Sequence, residues 1–147
     1  MMNPTVVYLA QTDTTVGFLS QDSARLAYIK KRDVKKKFII SIDSFKTLKT
    51  FVRVPQKHKK MIRRASRLTV VYPNNQALRV VKDTRHLKFL KKIKWLYTTS
   101  ANQTNSRFDA VFAKQNVDVV VYDGLEFFEK NPSTIIKCGK MVKRRLR

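Results

Sequence analysis

Trp95-Leu96-Tyr97-Thr98-Thr99-Ser100-Ala101-Asn102 runs from apolar residues straight into small hydroxyl and amide side chains, without the glycine or proline that usually marks a turn. The apolar part predicts a strand and Thr98 to Asn102 a loop at its end, where small side chains permit close approach of a ligand. Thr98, Thr99 and Ser100 each bring a hydroxyl that donates and accepts, and Asn102 brings an acceptor and two donors. The same residue types are ordinary in loops and caps. Their meaning therefore depends on the segments around them.

Upstream, Val6 to Ala10 is a continuous β-favouring run, as expected of a strand buried on both faces. The polar turn Gln11 to Thr15 and Gly17 follow. Ser20 or Asp22 is placed to cap a helix that turns Leu26, Ala27 and Ile29 inward and ends in Lys30-Lys31-Arg32, basic where the helix dipole is negative. Phe38 to Ile42 predicts a second strand. Asp43 or Ser44 then caps a helix with Phe45, Leu48, Phe51 and Val52 at helical spacing. Gln56 to Ala65 is basic and helical in character, and Leu68 to Tyr72 and Ala77 to Val81 predict strands joined by Pro73-Asn74-Asn75. Arg85 to Lys94 predicts an amphipathic helix with Leu87, Leu90 and Ile93 on one face. Downstream of Asn102 come a helix over 108–115, a strand over 117–122, a turn at Asn131-Pro132 into a short strand, and a last basic strand ending at Arg147. Strands alternating with helices predict an α/β architecture of the α+β type, one domain over 1–147 with helices flanking a mixed sheet.

At 147 residues and 43% apolar content the chain has material for one core. A net charge of +22 draws polyanions: RNA, DNA, nucleotides or acidic headgroups. Cys138 is the single cysteine, which excludes an internal disulfide and fits a reducing cytoplasm, the predicted location. The three glycines, Gly17, Gly124 and Gly139, build neither a phosphate-binding loop nor a dinucleotide fingerprint. His58, His86 and Cys138 cannot assemble a tetrahedral zinc site, and no metal centre built by the protein is expected. Any catalysis then depends on cations and hydroxyls stabilising phosphate charge, with Mg²⁺ carried by a nucleotide.

Taken in order, Gln11-Thr12-Asp13-Thr14-Thr15-Val16-Gly17-Phe18, Lys30-Lys31-Arg32, Leu78-Arg79-Val80-Val81, Ser100-Ala101-Asn102, Ser133-Thr134-Ile135-Ile136 and Leu146-Arg147 resemble the successive motifs of the YrdC-like family of threonylcarbamoyl-adenylate synthases, called TsaC in bacteria. The family's Trp-Pro-Gly-Pro is replaced by Arg64-Ala65-Ser66-Arg67. Gln11 stands for a proline, Val16 for an aromatic, and Asn105 near a usual glycine.

The resemblance implies a YrdC-like twisted mixed sheet and an enzyme that joins L-threonine, bicarbonate or carbon dioxide, and ATP into threonylcarbamoyl-AMP and pyrophosphate for transfer RNA modification. It assigns catalysis to Lys30 and Arg32. ATP would meet Lys30, Arg32, Lys36, Asn75, Ser100, Asn102 and Arg147, and threonine would meet Thr14, Ser41, Arg79, Thr98 and Ser133. Implied partners are transfer RNA or another structured RNA and the bacterial proteins that transfer the threonylcarbamoyl group. A non-catalytic RNA-binding protein, YrdC-like or ribosome-associated, fits the same charge through Lys57 to Arg67 and Arg85 to Lys94. A membrane-surface role for the Arg85 to Lys94 helix is the third reading.

Overall fold

The computed structural model describes residues 2–147; Met1 of the expected 1–147 domain lies outside the described residues. Among the described residues nine strands form one mixed sheet, in the order β7-β1-β2-β6-β3-β5-β4-β8-β9. They are β1 (Tyr8–Gln11), β2 (Val16–Ser20), β3 (Ile39–Ile42), β4 (Leu68–Val71), β5 (Ala77–Val80), β6 (Trp95–Ser100), β7 (Val119–Val120), β8 (Thr134–Cys138) and β9 (Lys143–Arg145). Between them lie α1 (Ser23–Lys30), α2 (Phe45–Phe51), α3 (Lys59–Arg64), α4 (Thr84–Leu90) and α5 (Ala110–Gln115).

Strand periodicity separates the layers. In β1 and the residue before it, Val7 and Leu9 pack with Phe18, Leu26 and Ala113, while Tyr8 and Ala10 pack with Leu19, Phe89, Leu90 and Leu96. Both faces are thus covered, which is why the first strand reads as an unbroken apolar run. The predicted caps divide cleanly: Asp22 accepts from the Arg25 N–H and Ser44 from the Thr47 N–H.

Several expectations change. Tyr8 to Ser20 is a hairpin, and its second strand, β2, has no strand signal in the sequence because Gly17 interrupts the pattern. A Cβ at Gly17 would come within 3.1 Å of both the Thr12 methyl and the Thr99 carbonyl, so close packing of the turn and β6 demands glycine there. Thr98, Thr99 and Ser100 are strand residues paired with β2, not a loop. The strand expected over 117–122 shrinks to Val119–Val120, and the basic segment from Gln56 divides into a short 3₁₀ turn and α3. Helix α4 starts at Thr84, capped by Asp83, and buries Phe89 and Leu90 against β1. Its apolar face is occupied by the core, which removes the membrane-surface reading. No helix among the described residues is long and apolar enough to cross a membrane.

On the face opposite Ile40, Leu78 and Val70, the register aligns Ser41 with Arg79 and Arg79 with Thr69 across three neighbouring strands. Thr98 lies on that same face, two residues from the buried Leu96 opposite Ser41. A polar row is therefore built into the sheet, and the candidate site forms over it.

Candidate functional site

A cavity of about 480 Å³ opens over this row, lined by the Thr12 to Gly17 turn, Arg32, Lys37 to Ile39, Arg79, Thr98 to Asn102, Phe108 and the segment containing Glu129, Lys130, Pro132 and Ser133, with Arg147. Eight of the expected residues meet there: Thr14, Arg32, Arg79, Thr98, Ser100, Asn102, Ser133 and Arg147. A smaller hollow of about 340 Å³ shares Arg32, Ser100 and Asn102 with it and adds Lys30 and Lys36.

The turn supplies one wall. Thr12 Oγ accepts from the backbone N–H groups of Thr14 and Thr15, at 3.2 and 3.1 Å, and the Thr12 N–H donates to the Thr15 carbonyl. Asp13 is carried beneath, where it pairs with Arg79: Nε lies 3.1 and 3.0 Å from the two carboxylate oxygens, and both residues are 3% exposed. The remaining Arg79 nitrogens reach Thr69 Oγ1 at 3.3 Å and Ser41 Oγ at 3.5 Å, both long contacts. Thr69 in turn shares a 2.7 Å hydrogen bond with Ser133. Burial pushes the Asp13 carboxyl upward, but the His86 hydrogen bond and the Arg79 charge outweigh it and hold the group below the usual carboxylate range.

Helix α1 provides the second wall. Lys31 adopts a left-handed conformation (φ 50°), and the N–H groups of Lys31 and Arg32 close back onto the carbonyls of Tyr28 and Ala27. The chain reverses there and separates the two cations. Lys30 Nζ donates to the Ser100 carbonyl (2.9 Å), the Asn102 carbonyl (2.6 Å) and Asn102 Oδ1 (2.8 Å). It clamps the Ser-Ala-Asn corner. Asn102 Oδ1 also accepts from Ser100 Oγ, and its amide donates to the Ser106 carbonyl. Arg32 lies over the Phe38 ring at 4.3 Å and donates one bond to the Lys37 carbonyl, while its buried Nε has no partner among the described residues. Burial, and then the charge of Arg32, lower the Lys30 amine to about 8.

At the far wall Arg147 donates from Nε to the Ser133 carbonyl and from a terminal nitrogen to Ser133 Oγ. Burial, and then the charge of Arg79, lower its pKa.

Two expected residues lie elsewhere. Ser41 is fully buried and reaches the cavity only through Arg79. Asn75 is exposed at the tip of the β4–β5 hairpin, where its positive φ of 65° serves the turn, and the structure does not bring it to the cavity. Other lining residues carry no site signal in the sequence: Phe38 reads only as the start of a strand, Lys37 precedes it, and Glu129 and Lys130 sit in a segment without periodicity. Thr69, behind the lining, likewise reads only as part of a strand. Glu129 accepts from the Phe108 N–H, and Gln11, standing where the family has proline, exchanges two hydrogen bonds with the Phe128 backbone. Those contacts hold the 128–133 segment over the cavity. Among the described residues no three His, Cys, Asp or Glu side chains are grouped to hold a metal ion.

The fold is shared with solved structures. Sua5 from P. abyssi superposes with a TM-score of 0.81 at 19% identity, covering 97% of this chain and 52% of its own. Sua5 from P. abyssi complexed with L-threonine gives 0.80 at 18% identity, covering 97% and 50%. E. coli YciO gives 0.76 at 15% identity, covering 97% and 82%. The chain spans about half the length of the two Sua5 chains. No curated protein matches it in sequence. The Sua5/YciO/YrdC family model, described as "Telomere recombination", matches residues 7–147. With its mixed sheet and its motifs in order along that match, the chain belongs to the Sua5/YciO/YrdC family.

Proposed function

We propose that the chain is an L-threonylcarbamoyladenylate synthase. The observation that carries this reading is the convergence of six separated motifs on one hydroxyl-lined cavity walled by three arginines, Arg32, Arg79 and Arg147. In the reaction, the carboxylated amine of threonine presents an anionic oxygen to the ATP α-phosphorus. A new P–O bond forms as the bond to the β-phosphate oxygen breaks, and pyrophosphate leaves with its electron pair. Nucleophile and electrophile are both negative, so fixed cations must offset their repulsion.

The amino acid takes the end near Arg79, its carboxylate on the guanidinium and its hydroxyl among Thr14, Thr98 and Ser133; Ser41 supports Arg79 from behind. The nucleotide takes the end near Ser100, Asn102 and Arg32, with Lys36 at the smaller hollow and Mg²⁺ carried by the phosphates. Arg147, bonded to Ser133, stands between the two ends. Membership of the family and the threonine bound in a similar Sua5 support the assignment. Incubation with ATP, bicarbonate and single amino acids should release pyrophosphate with threonine far above the others. Release that ignores the amino acid, or none, would overturn it. Discrimination should be sharper against valine than against serine, because a hydroxyl site filled without a hydroxyl leaves polar groups unpaired, whereas serine lacks only a methyl.

Lys30 makes the nucleotide end pH-sensitive. Its amine is depressed to about 8 in the free protein, and a bound triphosphate favours the ammonium, so binding takes up a proton above pH 8. ATP affinity should fall towards about tenfold per pH unit between pH 8 and 10. In folding the sign is opposite: the cost of burying the ammonium is fully present below pH 8 and is relieved as pH rises towards the unfolded value of 10.5. ATP titrations from pH 7 to 10 with a flat profile would refute the coupling.

A second reading, RNA binding without catalysis, draws on a separate groove of about 880 Å³ walled by Lys49, Arg53, Lys57, Lys59 and Lys140 around Pro55 and Pro73. Such a surface suits a phosphate backbone such as that of transfer RNA. The same assay separates the readings, since RNA binding with steep salt dependence but no threonine-dependent pyrophosphate would favour the second.

A further inference from the structure

His86 is fully buried beneath the cavity and has no part in the reaction outlined above. It sits in the first turn of α4, where its N–H donates to Asp83, and its ring reaches the β1–β2 turn: Nδ1 lies 3.3 Å from the Asp13 backbone nitrogen and 3.5 Å from Asp13 Oδ1. Unprotonated, Nδ1 accepts from that N–H; protonated, it donates to the carboxylate. Either state holds Asp13. The other ring nitrogen, Nε2, has no partner among the described residues. An orphan buried nitrogen costs stability, so simple packing would be better served by an apolar ring.

Asp13 in turn grips Arg79 from the side. Its carboxylate takes Nε, leaving both terminal nitrogens with only the long contacts to Thr69 and Ser41. A carboxylate engaged end-on with the terminal nitrogens would use up the fork that recognises another carboxylate. Strand β1 is separated from β5 by β2, β6 and β3 in the sheet, so the Asp13–Arg79 pair also sets the span between the turn, with Thr14, and Arg79 on β5.

We propose that His86 and Asp13 are positioning residues for Arg79, holding its terminal nitrogens open to the carboxylate of an amino-acid substrate; this rests on the reading of the cavity as a threonine site. The pair acts on the amino acid and not on ATP.

The test is a double-mutant cycle on the full chain, with threonine and ATP binding measured separately by calorimetry. His86→Phe fills the ring's place without its nitrogens and should weaken threonine binding about tenfold while leaving ATP binding within about twofold. His86→Gln, which restores a side-chain donor and acceptor, should recover much of the loss. Arg79→Lys should weaken threonine binding by itself, and adding His86→Phe to it should cost nothing more, because His86 acts through the guanidinium. Equal loss of both ligands with a lowered melting temperature would reduce His86 to a structural role and overturn the proposal, as would unchanged threonine binding in His86→Phe. A wild-type chain that binds no threonine overturns the threonine reading and this inference with it, whereas normal wild-type binding with additive losses overturns the positioning role alone.

Discussion

Asp13→Ala is expected to lower the free energy of unfolding by about 3–5 kcal/mol, the usual cost of removing one partner from a buried ion pair. Arg79 and Asp13 are each 3% exposed, and among the described residues the carboxylate is the only anion that the guanidinium contacts. Without it a guanidinium is left in the interior with no counter-charge. The surface pairs provide the contrast. Arg25–Asp118 has side chains 44% and 37% exposed, and breaking it should cost no more than about 1 kcal/mol. Urea unfolding of Asp13→Ala and of Arg25→Ala measures the difference. The acid limb checks the cause: Asp13 is held below the ordinary carboxylate value, so its contribution is present above the unfolded pKa and is lost as pH falls through the lower folded one. Wild type should therefore lose stability in acid more steeply than Asp13→Ala. A loss below about 1 kcal/mol in that variant would mean that water reaches Arg79 and that the cavity floor is not dry.

How far such a site can be read without coordinates depends on where its information resides. The buried strands β1 and β3 and the caps at Asp22 and Ser44 are local, written in runs of Val, Ile and Leu and in single capping side chains, and they were legible. Motif order also gathered Thr14, Arg32, Arg79, Thr98, Ser100, Asn102, Ser133 and Arg147, residues now found on one cavity. Register was not legible. The row of Ser41, Arg79 and Thr69 exists only because β3, β4 and β5 pair at particular offsets, and Thr69 by itself is one more β-branched residue in a strand. Strand β2 was hidden by Gly17, whose lack of a side chain weakens the pattern at the position where tertiary crowding demands it. Asn75 shows the reverse error: spacing placed it near the nucleotide, and a hairpin needing positive φ claims it instead. His86 carries no signal in one sequence, because a histidine in a basic amphipathic stretch looks like surface until α4 docks.

Arg32→Ala should slow threonine-dependent pyrophosphate release roughly 100- to 1,000-fold, or about 2.7–4 kcal/mol of transition-state stabilisation, as when one preorganised donor is removed from a charge-stabilising site. The cations around the cavity are not equivalent. Lys30 spends its N–H groups on the Ser100 and Asn102 oxygens, Arg79 commits Nε to Asp13, and Arg147 is engaged with Ser133. Arg32 makes one hydrogen bond, to the Lys37 carbonyl, and it borders both the main cavity and the smaller hollow. Its donors are the ones left for charge that develops as pyrophosphate departs. Stability should change little, since the lost Phe38 contact is worth about 0.5–1 kcal/mol at such a site. Arg32→Lys keeps the charge without the planar fork and should fall between wild type and alanine. The neighbour supplies an independent check. Arg32 is one of the two causes that depress the Lys30 amine, so in Arg32→Ala the alkaline fall in ATP affinity should begin above pH 8. A variant that shifts this pH profile yet releases pyrophosphate at nearly the wild-type rate would leave Arg32 a neighbour of Lys30 and pass the catalytic charge to Arg147.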